Sequence, residues 1–550
     1  MKTNPFKVLA TLIMVTVCWL LMACSVSDNT STEGLNPSEQ ELADYTILFY
    51  GHGGGDLDLN ILTNIKQFYE ANPESYKKVK IAVSYKYSET EQLSTITSGY
   101  LAEGLMGQQD ADDIVAMGGK TCRVIVDPQK EDVLLKEGVY GQPNGDYTTP
   151  DSLTSFINWA AAKCPAKNYI LVFNGHGDGY MPHENLPLNT ATTRGIVFDD
   201  GHQNQAITLP ALTKAIKDAS IRPTAIYMDA CLMNCVEYVF ELKDLCDYVV
   251  ASTYLVPGSG GLYSSLINEL ASAKDIESAL SNYCDACIAN WDDNNKNYSG
   301  VLDEGGTPVS YYDITVTRTS SLDAFGANLR KFVDALLEAQ KDYGYDMMDV
   351  FLKYIVENKR EVSEVHHDLM YYDLIIYMDI MSKALPNYFS DLLMEDLDAS
   401  FHQCIVKQCF SDYLTKWNCR VGYSMLLGLE GEYTVKHTVV SEEYGLPYSP
   451  EDISYFWNGK TQTNFYSDNP NIFWPIAEPE YGVWGSTGAD TYEQLVFDHM
   501  TGWSRWIKVN CIIPSTGSVA SMSFTSDYKS VEMFTGKFEW NGGLKRKKQQ

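Results

Sequence analysis

The chain has 550 residues, 45% hydrophobic and 21% charged, with a formal net charge of −31. That length exceeds one hydrophobic core, so two or more domains are expected, and the composition excludes a largely disordered protein. The acidic balance excludes nucleic acid as a partner, because phosphates would be repelled. A basic substrate would be attracted; simple solubility is the other reading, and charge alone does not choose between them.

The N-terminus reads as a targeting signal. Lys2 and Lys7 precede an apolar run from Val8 to Ala23, too short at its centre for a membrane span. Leu21-Met22-Ala23-Cys24 resembles the lipobox of bacterial lipoproteins. That resemblance implies cleavage after residue 23, acylation of Cys24 and a lipid-anchored place in a bacterial cell envelope, periplasmic or at the cell surface. The alternative is an ordinary secretory signal with an incidental cysteine. Residues 24–42 are polar and read as a flexible tether. Of 13 cysteines, Cys18 and Cys24 belong to the signal, which leaves eleven. An odd number in an exported protein points to at least one free thiol. Cys284-Asp285-Ala286-Cys287 lacks a second ligand pair at zinc spacing, so no metal site is expected there and the two cysteines are placed on a helix.

In chain order, the pattern predicts a buried strand over Tyr45–Tyr50 and a helix over Leu57–Glu70. Between them, Gly51 to Gly55 is read as a flexible loop, with His52 able to line a cleft. A strand follows at Val79–Tyr85, then a helix at Ser152–Cys164 stopped by Pro165, then a strand at Tyr169–Phe173. Leu209–Ala219 is helical, Ala225–Met228 a strand, Val236–Leu245 helical and Tyr248–Ala251 a strand. Strands alternating with helices predict a mainly parallel α/β sheet over residues 43–315, with ligands at the carboxyl ends of its strands. After residue 315 the pattern changes to a C-terminal α+β region without an assigned role. Leu322–Met381 has helical periodicity, and Cys419–Leu429 and Trp506–Ile513 read as strands.

Two strands end in residues that carry chemistry. Phe173 leads into Asn174-Gly175-His176-Gly177-Asp178-Gly179, where glycines let the backbone turn sharply and place a histidine at the sheet edge. Met228 leads into Asp229-Ala230-Cys231-Leu232-Met233, just before a helix whose N-terminus would stabilise a thiolate. Each motif has a bland alternative, a loop histidine or a buried structural cysteine. Their placement on neighbouring strand ends favours a Cys–His pair. Asp229 lies two residues before Cys231; so close a carboxylate suits a pocket floor for a Lys or Arg side chain better than a catalytic partner.

These segments resemble the clostripain family of cysteine peptidases, grouped with caspases, legumains and gingipains. The resemblance spans roughly residues 43–315 and is strongest over 150–265. It includes Phe156-Ile157-Asn158-Trp159, Asp229-Ala-Cys-Leu-Met, Glu237, Ala251-Ser252 and Pro257-Gly258. It implies a caspase-like sheet sandwiched by helices and a cysteine endopeptidase needing no cofactor. His176 would be the general acid/base, Cys231 the nucleophile and the amides of Gly177 and Cys231 the oxyanion donors. Asp229 and Ser252 would bind a substrate with Arg or Lys before the scissile bond. Arg194, the only Lys or Arg between His176 and Lys214, is read either as a self-cleavage site or as a structural arginine. Some members respond to calcium, but Asp178, Asp199 and Asp200 form no ordered calcium loop. The chain departs from the family at Thr253-Tyr254-Leu255-Val256, where a glutamate is usual, and at Gly261-Leu262-Tyr263, where a tryptophan is frequent.

Two rival readings stand beside this one. Gly51-His52-Gly53-Gly54-Gly55 resembles the glycine-rich oxyanion turn of esterases, but a serine hydrolase needs G-x-S-x-G after a strand and the chain has none. The other rival is a non-catalytic peptide- or glycan-binding lipoprotein that uses exposed aromatic residues.

Overall fold

The computed structural model describes residues 42–130, 132–142, 144–180, 195–294, 312–343, 371–411 and 493–510, together with residue 354 and short strands at 301–302, 308–309, 364–366 and 424–426. The described residues from Ala43 onward belong to one compact unit. The expected signal and tether up to residue 41, with Cys24, and Arg194 lie outside the described residues.

The main sheet takes β1 (Ala43–His52), β2 (Val79–Lys86), β3 (Thr121–Ile125), β4 (Val139–Tyr140) and β5 (Ala166–Asn174) from the first part of the chain. A hairpin of β6 (Ile196–Asp199) and β7 (Gln205–Ile207) follows, then β8 (Ala225–Asp229) and β9 (Tyr248–Ala251). A small ladder joins β10 (Val301–Leu302) to β11 (Pro308–Val309). Beyond it come β12 (Asp313–Arg318), β13 (Glu364–His366), β14 (Tyr371–Asp373), β15 (Ile405–Phe410) and β16 (Ser424–Leu426). The nine-stranded sheet has the order β15-β12-β9-β8-β5-β1-β2-β3-β4. Its five central strands, from β9 to β2, run parallel, and both edges are antiparallel.

The central strands are apolar on both faces because each face is covered by helices. Successive residues feed opposite cores. Leu48 and Tyr50 of β1, Leu171 and Phe173 of β5 and Ile226 and Met228 of β8 face one core. Ile47 and Phe49, Ile170 and Val172, and Ala225 and Tyr227 face the other. The first core is closed by helices Pro150–Lys163, Leu209–Asp218, Val236–Glu241 and Leu322–Tyr343, the second by Asp58–Gln67, Tyr263–Ser272 and Ile276–Asn294. Thr149 caps its helix by accepting from the Ser152 amide at 3.2 Å, and Pro150 occupies the first turn, where no amide bond is lost. The expectation of a mainly parallel sheet between helices is met.

The C-terminal residues differ from the expectation. The boundary anticipated after residue 315 falls inside β12, and β15 pairs with β12 to extend the same sheet. Phe325, Leu329, Trp503 and Trp506 join the first core. The apolar face of Leu322–Tyr343 has to be buried somewhere, and the open side of the main sheet supplies the surface. Of Trp506–Ile513, read as a strand, residues 506–510 belong instead to a helix, Trp503–Asn510. Trp503 and Trp506 stand three residues apart, so one helical face buries both, and the buried Asp498 accepts the Ser504 amide and hydroxyl at 2.5 and 2.9 Å. Of the segment Cys419–Leu429, the described part is β16, which pairs antiparallel with β14.

The strand order places a topological switch between β1 and β5. From β1 the chain winds one way to β2, then returns to β5 on the other side and continues to β8. The crevice beyond the carboxyl ends of β1, β5 and β8 is where such sheets bind ligands.

Candidate active site

Parallel pairing aligns three strand ends. Gly51 of β1 pairs with Asn174 of β5, and Asn174 pairs with Asp229 of β8. His176 and Cys231 each lie two residues beyond a matched pair, so the sheet register alone carries both to the same edge. Past Asn174, Gly175 takes a φ of 153°, and a Cβ there would lie 2.6 Å from the His52 carbonyl. Only glycine fits this crossing between β5 and the end of β1.

His176 is then fixed by its neighbours. Val197 donates its amide to the His176 carbonyl at 2.8 Å, and Asp178 donates to the Gly195 carbonyl at 3.1 Å. Gly177 bridges Ile196 between these two bonds. In such a pair the bonds belong to the flanking residues, so the Gly177 N–H turns away from β6. The imidazole is partly exposed, with its Nε2 2.6 Å from Asp56 Oδ1 and the Phe198 ring edge-on at 6.2 Å. Burial works against the charged imidazole. The hydrogen bond and charge of Asp56, aided by Asp178, outweigh it and raise the His176 pKa above its ordinary value.

Cys231 packs against both cores at the sheet edge. The following Leu232 has a φ of 63°, held by its buried side chain and by a 3.0 Å bond from its amide to the Tyr254 carbonyl. Val197 beside His176 has a φ of 59°. Left-handed conformations at branched residues cost about 1–3 kcal/mol and gather where a chain must aim functional groups. The sequence placed the thiol at a helix N-terminus, but the helix starts at Val236. The described amide on the sulfur is instead that of Val256, at 3.3 Å. Burial pushes the Cys231 thiol up to about 12. The Val256 amide opposes this, and the charges of Asp178 and Asp229 add to it. The thiol therefore carries its proton at neutral pH. Gly177 lies directly against the Cys231 backbone: a Cβ at residue 177 would be 2.6 Å from the Cys231 carbonyl oxygen. Among the described residues, neither the Gly177 nor the Cys231 amide donates to a backbone carbonyl.

Asp229 is almost fully buried. Its Oδ2 accepts from Asn174 Nδ2 at 2.6 Å, the Tyr263 hydroxyl at 2.6 Å and the Gly261 amide at 2.8 Å, while Oδ1 has no partner among the described residues. Burial raises its pKa against these three donors and the Tyr227 hydroxyl. The loop over it is tied to the helix Asp58–Gln67. Asn60 donates to the Gly258 carbonyl and Asn64 to that of Ser259, both at 2.6 Å, and Gln67 donates to that of Gly261 at 3.4 Å. Spacings of four and three residues put these amides on one helix face.

Two expected site residues sit elsewhere in the fold. Ser252 is buried, with its hydroxyl donating to the Asp313 carbonyl at 2.5 Å, so it braces the loop instead of facing a ligand. His52 does not line the cleft. It is fully buried, with Nε2 3.3 Å from Asp199 and 3.1 Å from Asp200. Asp199, Asp200 and His52 have metal-type donor atoms within reach of one another, but Lys86 Nζ already lies 2.6 and 2.8 Å from the two Asp199 oxygens. A lysine is therefore the cation that Asp199 already holds. Cys284 and Cys287 lie buried on the helix Ile276–Asn294, and all nine described cysteines are free.

Nothing in the sequence gives Val256 or Asn64 a role in the site. The one signal for Asp56 is its position directly after the glycine run of residues 53–55.

The sequence model of the clostripain family, peptidase family C11, matches residues 101–390. The chain belongs to the clostripain family. It is accordingly a cysteine peptidase with a caspase-like fold. No curated protein matches it. Among solved structures, it is similar to a secreted C11 cysteine protease from Bacteroides thetaiotaomicron in complex with an irreversible peptide inhibitor. The two are 18% identical, with 70% of this chain and 88% of that one covered and a TM-score of 0.42. A structure of a secreted C11 protease of the same organism, called iotapain, is 17% identical, with coverage of 68% and 88% and a TM-score of 0.45. An inactive zymogen C11 protease from Parabacteroides distasonis is 13% identical, with coverage of 70% and 92% and a TM-score of 0.43.

Proposed function

We propose that this peptidase is an endopeptidase that cleaves after Arg or Lys through Cys231 and His176. The observation that supports it most is the shared strand-end register, which brings a histidine and a cysteine to the carboxyl ends of the neighbouring strands β5 and β8. In the proposed reaction, substrate binding lets His176 take the Cys231 proton, and the sulfur attacks the carbonyl carbon. The amides of Gly177 and Cys231 hold the oxyanion, which typically contributes about 3 kcal/mol per donor. His176 then protonates the leaving amine, and water hydrolyses the thioester. The unpartnered Asp229 Oδ1 supports a basic preference, because a buried carboxylate oxygen without a donor favours a guanidinium or ammonium. Arg194 would be a self-cleavage site of matching chemistry, and Cys24 the lipid attachment point. Loss of membrane association in Cys24→Ala would test the anchor.

The deciding experiment uses the chain from residue 25 onward with fluorogenic peptides carrying Arg, Lys, Ala or Asp before the scissile bond. Cleavage after Arg or Lys is expected, and it should disappear in Cys231→Ala and His176→Ala. Cleavage after Ala or Asp would refute the basic preference. Full activity in Cys231→Ala would refute the nucleophile.

A further inference from the structure

The glycine turn after β1 wraps the His176 ring. Gly54 has a φ of 61°, and a Cβ there would lie 2.7 Å from His176 Cδ2. A Cβ on Gly53 would collide with the Asp58 carboxylate. The turn is closed by Leu57 N–H to the Gly53 carbonyl at 2.9 Å and by Gly55 N–H to Ser88 Oγ at 2.8 Å. Both its ends are anchored in the interior. His52 is held by Asp199 and Asp200. Asp58 Oδ1 accepts from the Tyr85 hydroxyl at 2.5 Å and the Ser88 amide at 3.1 Å. Asp56 is carried between these anchors, with Oδ1 2.6 Å from His176 Nε2 and Phe198 edge-on to the ring.

We infer that Asp56 is a positioning residue of the peptidase reaction, one that accepts the Nε2–H of His176 and leaves Nδ1 as the nitrogen that handles the catalytic proton. This rests on the Cys231–His176 reading above. The hydrogen bond made by one ring nitrogen decides what the other can do. With Nε2–H directed at a carboxylate, the Nδ1 lone pair is free to take the thiol proton. The resulting imidazolium keeps Nε2–H on Asp56, whose negative charge offsets the new positive one, and Asp56 itself gains no proton. The S–C bond forms as the scissile C–N bond breaks, and the Nδ1 proton leaves with the amine. In the second half, water gives one proton to Nδ1 and its hydroxyl to the thioester carbon. The departing thiolate takes that proton back.

The charged groups around the ring are Asp56 and Asp178, which favour the imidazolium, and His52, which opposes it; burial opposes it as well. Removing Asp56 therefore shifts the balance towards neutral imidazole. A strut that merely shaped the loop would lack this signature.

The test compares the full chain with Asp56→Asn, Asp56→Ala and Asp56→Glu, each checked by circular dichroism and thermal midpoint. Asp56 is 66% exposed, so the variants should fold. We expect kcat to fall about 10- to 100-fold in Asp56→Asn and at least as far in Asp56→Ala, with KM little changed. That is less than the roughly 10⁴-fold cost at a buried triad carboxylate, because solvent screens this one. The acid limb of kcat/KM against pH should move to lower pH in both variants, and Asp56→Glu should recover part of the rate. Wild-type kcat with an unmoved acid limb would overturn the inference, as would a slower enzyme whose acid limb stays in place. Cys231→Ala is measured alongside. If it is inactive while Asp56→Asn behaves as wild type, only this inference fails. If Cys231→Ala stays active, the nucleophile assignment fails and this inference with it.

Discussion

Replacing His52 with glutamine removes the imidazolium that shares the buried cluster beneath the glycine turn with Lys86. Burial disfavours the His52 charge, but the hydrogen bonds of Asp199 and Asp200 and the charges of Asp199 and Asp58 win, and its pKa is pushed up to about 9. Burial alone would raise Asp199; His52 and Lys86 reverse that and hold it well below the usual carboxylate range. These two shifts describe one interaction from its two sides, so it is counted once. A folded-state value above the unfolded 6.5 means stability that is fully present at low pH and lost as pH rises through 9. That rise corresponds to about 3 kcal/mol at pH 6.5 and about 1 kcal/mol at pH 8. Urea denaturation of wild type and His52→Gln at pH 6.5 and 8.0 reads this directly. Wild type should lose about 2 kcal/mol more than the variant across that interval, since titrating groups outside the cluster are common to both and cancel. At pH 6.5 the variant should also be less stable by about 3–5 kcal/mol, because buried Asp200 is left without its cation. Parallel pH dependences would refute the charged His52.

Gly177→Ala would place a methyl group 2.6 Å from the Cys231 carbonyl oxygen and 2.8 Å from Ala230 Cβ. A stability loss of about 1–3 kcal/mol is expected with a larger fall in kcat than in KM; wild-type kinetics would rule out this contact. Asn64→Ala frees the loop over Asp229 by deleting the bond to the Ser259 carbonyl, at a cost of about 1–3 kcal/mol. Its KM for basic peptides should rise, and an unchanged KM would separate the loop from substrate binding. Trp503→Ala should cost about 3–5 kcal/mol, measured by thermal denaturation, because the indole is fully buried in the core beside the main sheet. A variant as stable as wild type would mean that the C-terminal helices do not support that core.

Local pattern made much of this legible. Continuous apolar runs announced the central strands, and helical spacing announced the segments between them. Two strand ends carrying His176 and Cys231 could be paired because consecutive parallel strands tend to be neighbours. Asp56 could not be read in this way. It lies 120 residues from its partner, and the contact exists because β1 inserts between β5 and β2. The glycine run was visible, but its purpose, close approach to an imidazole, depends on what it approaches. Ser252 and His52 show the converse. Their residue types suit a site, and burial among Asp313, Asp199 and Asp200 turned them into structural members.

By itself, the sequence determined the α/β alternation, the family and the two residues best suited to nucleophilic chemistry, because each is written in short-range periodicity or in a motif of a few residues. The tertiary structure alone decided which amide supports the thiol, which carboxylate meets the imidazole, and that residues beyond 315 complete the first sheet and core. Those outcomes depend on strand order and on apolar faces finding cover, and both bring together residues far apart in the chain.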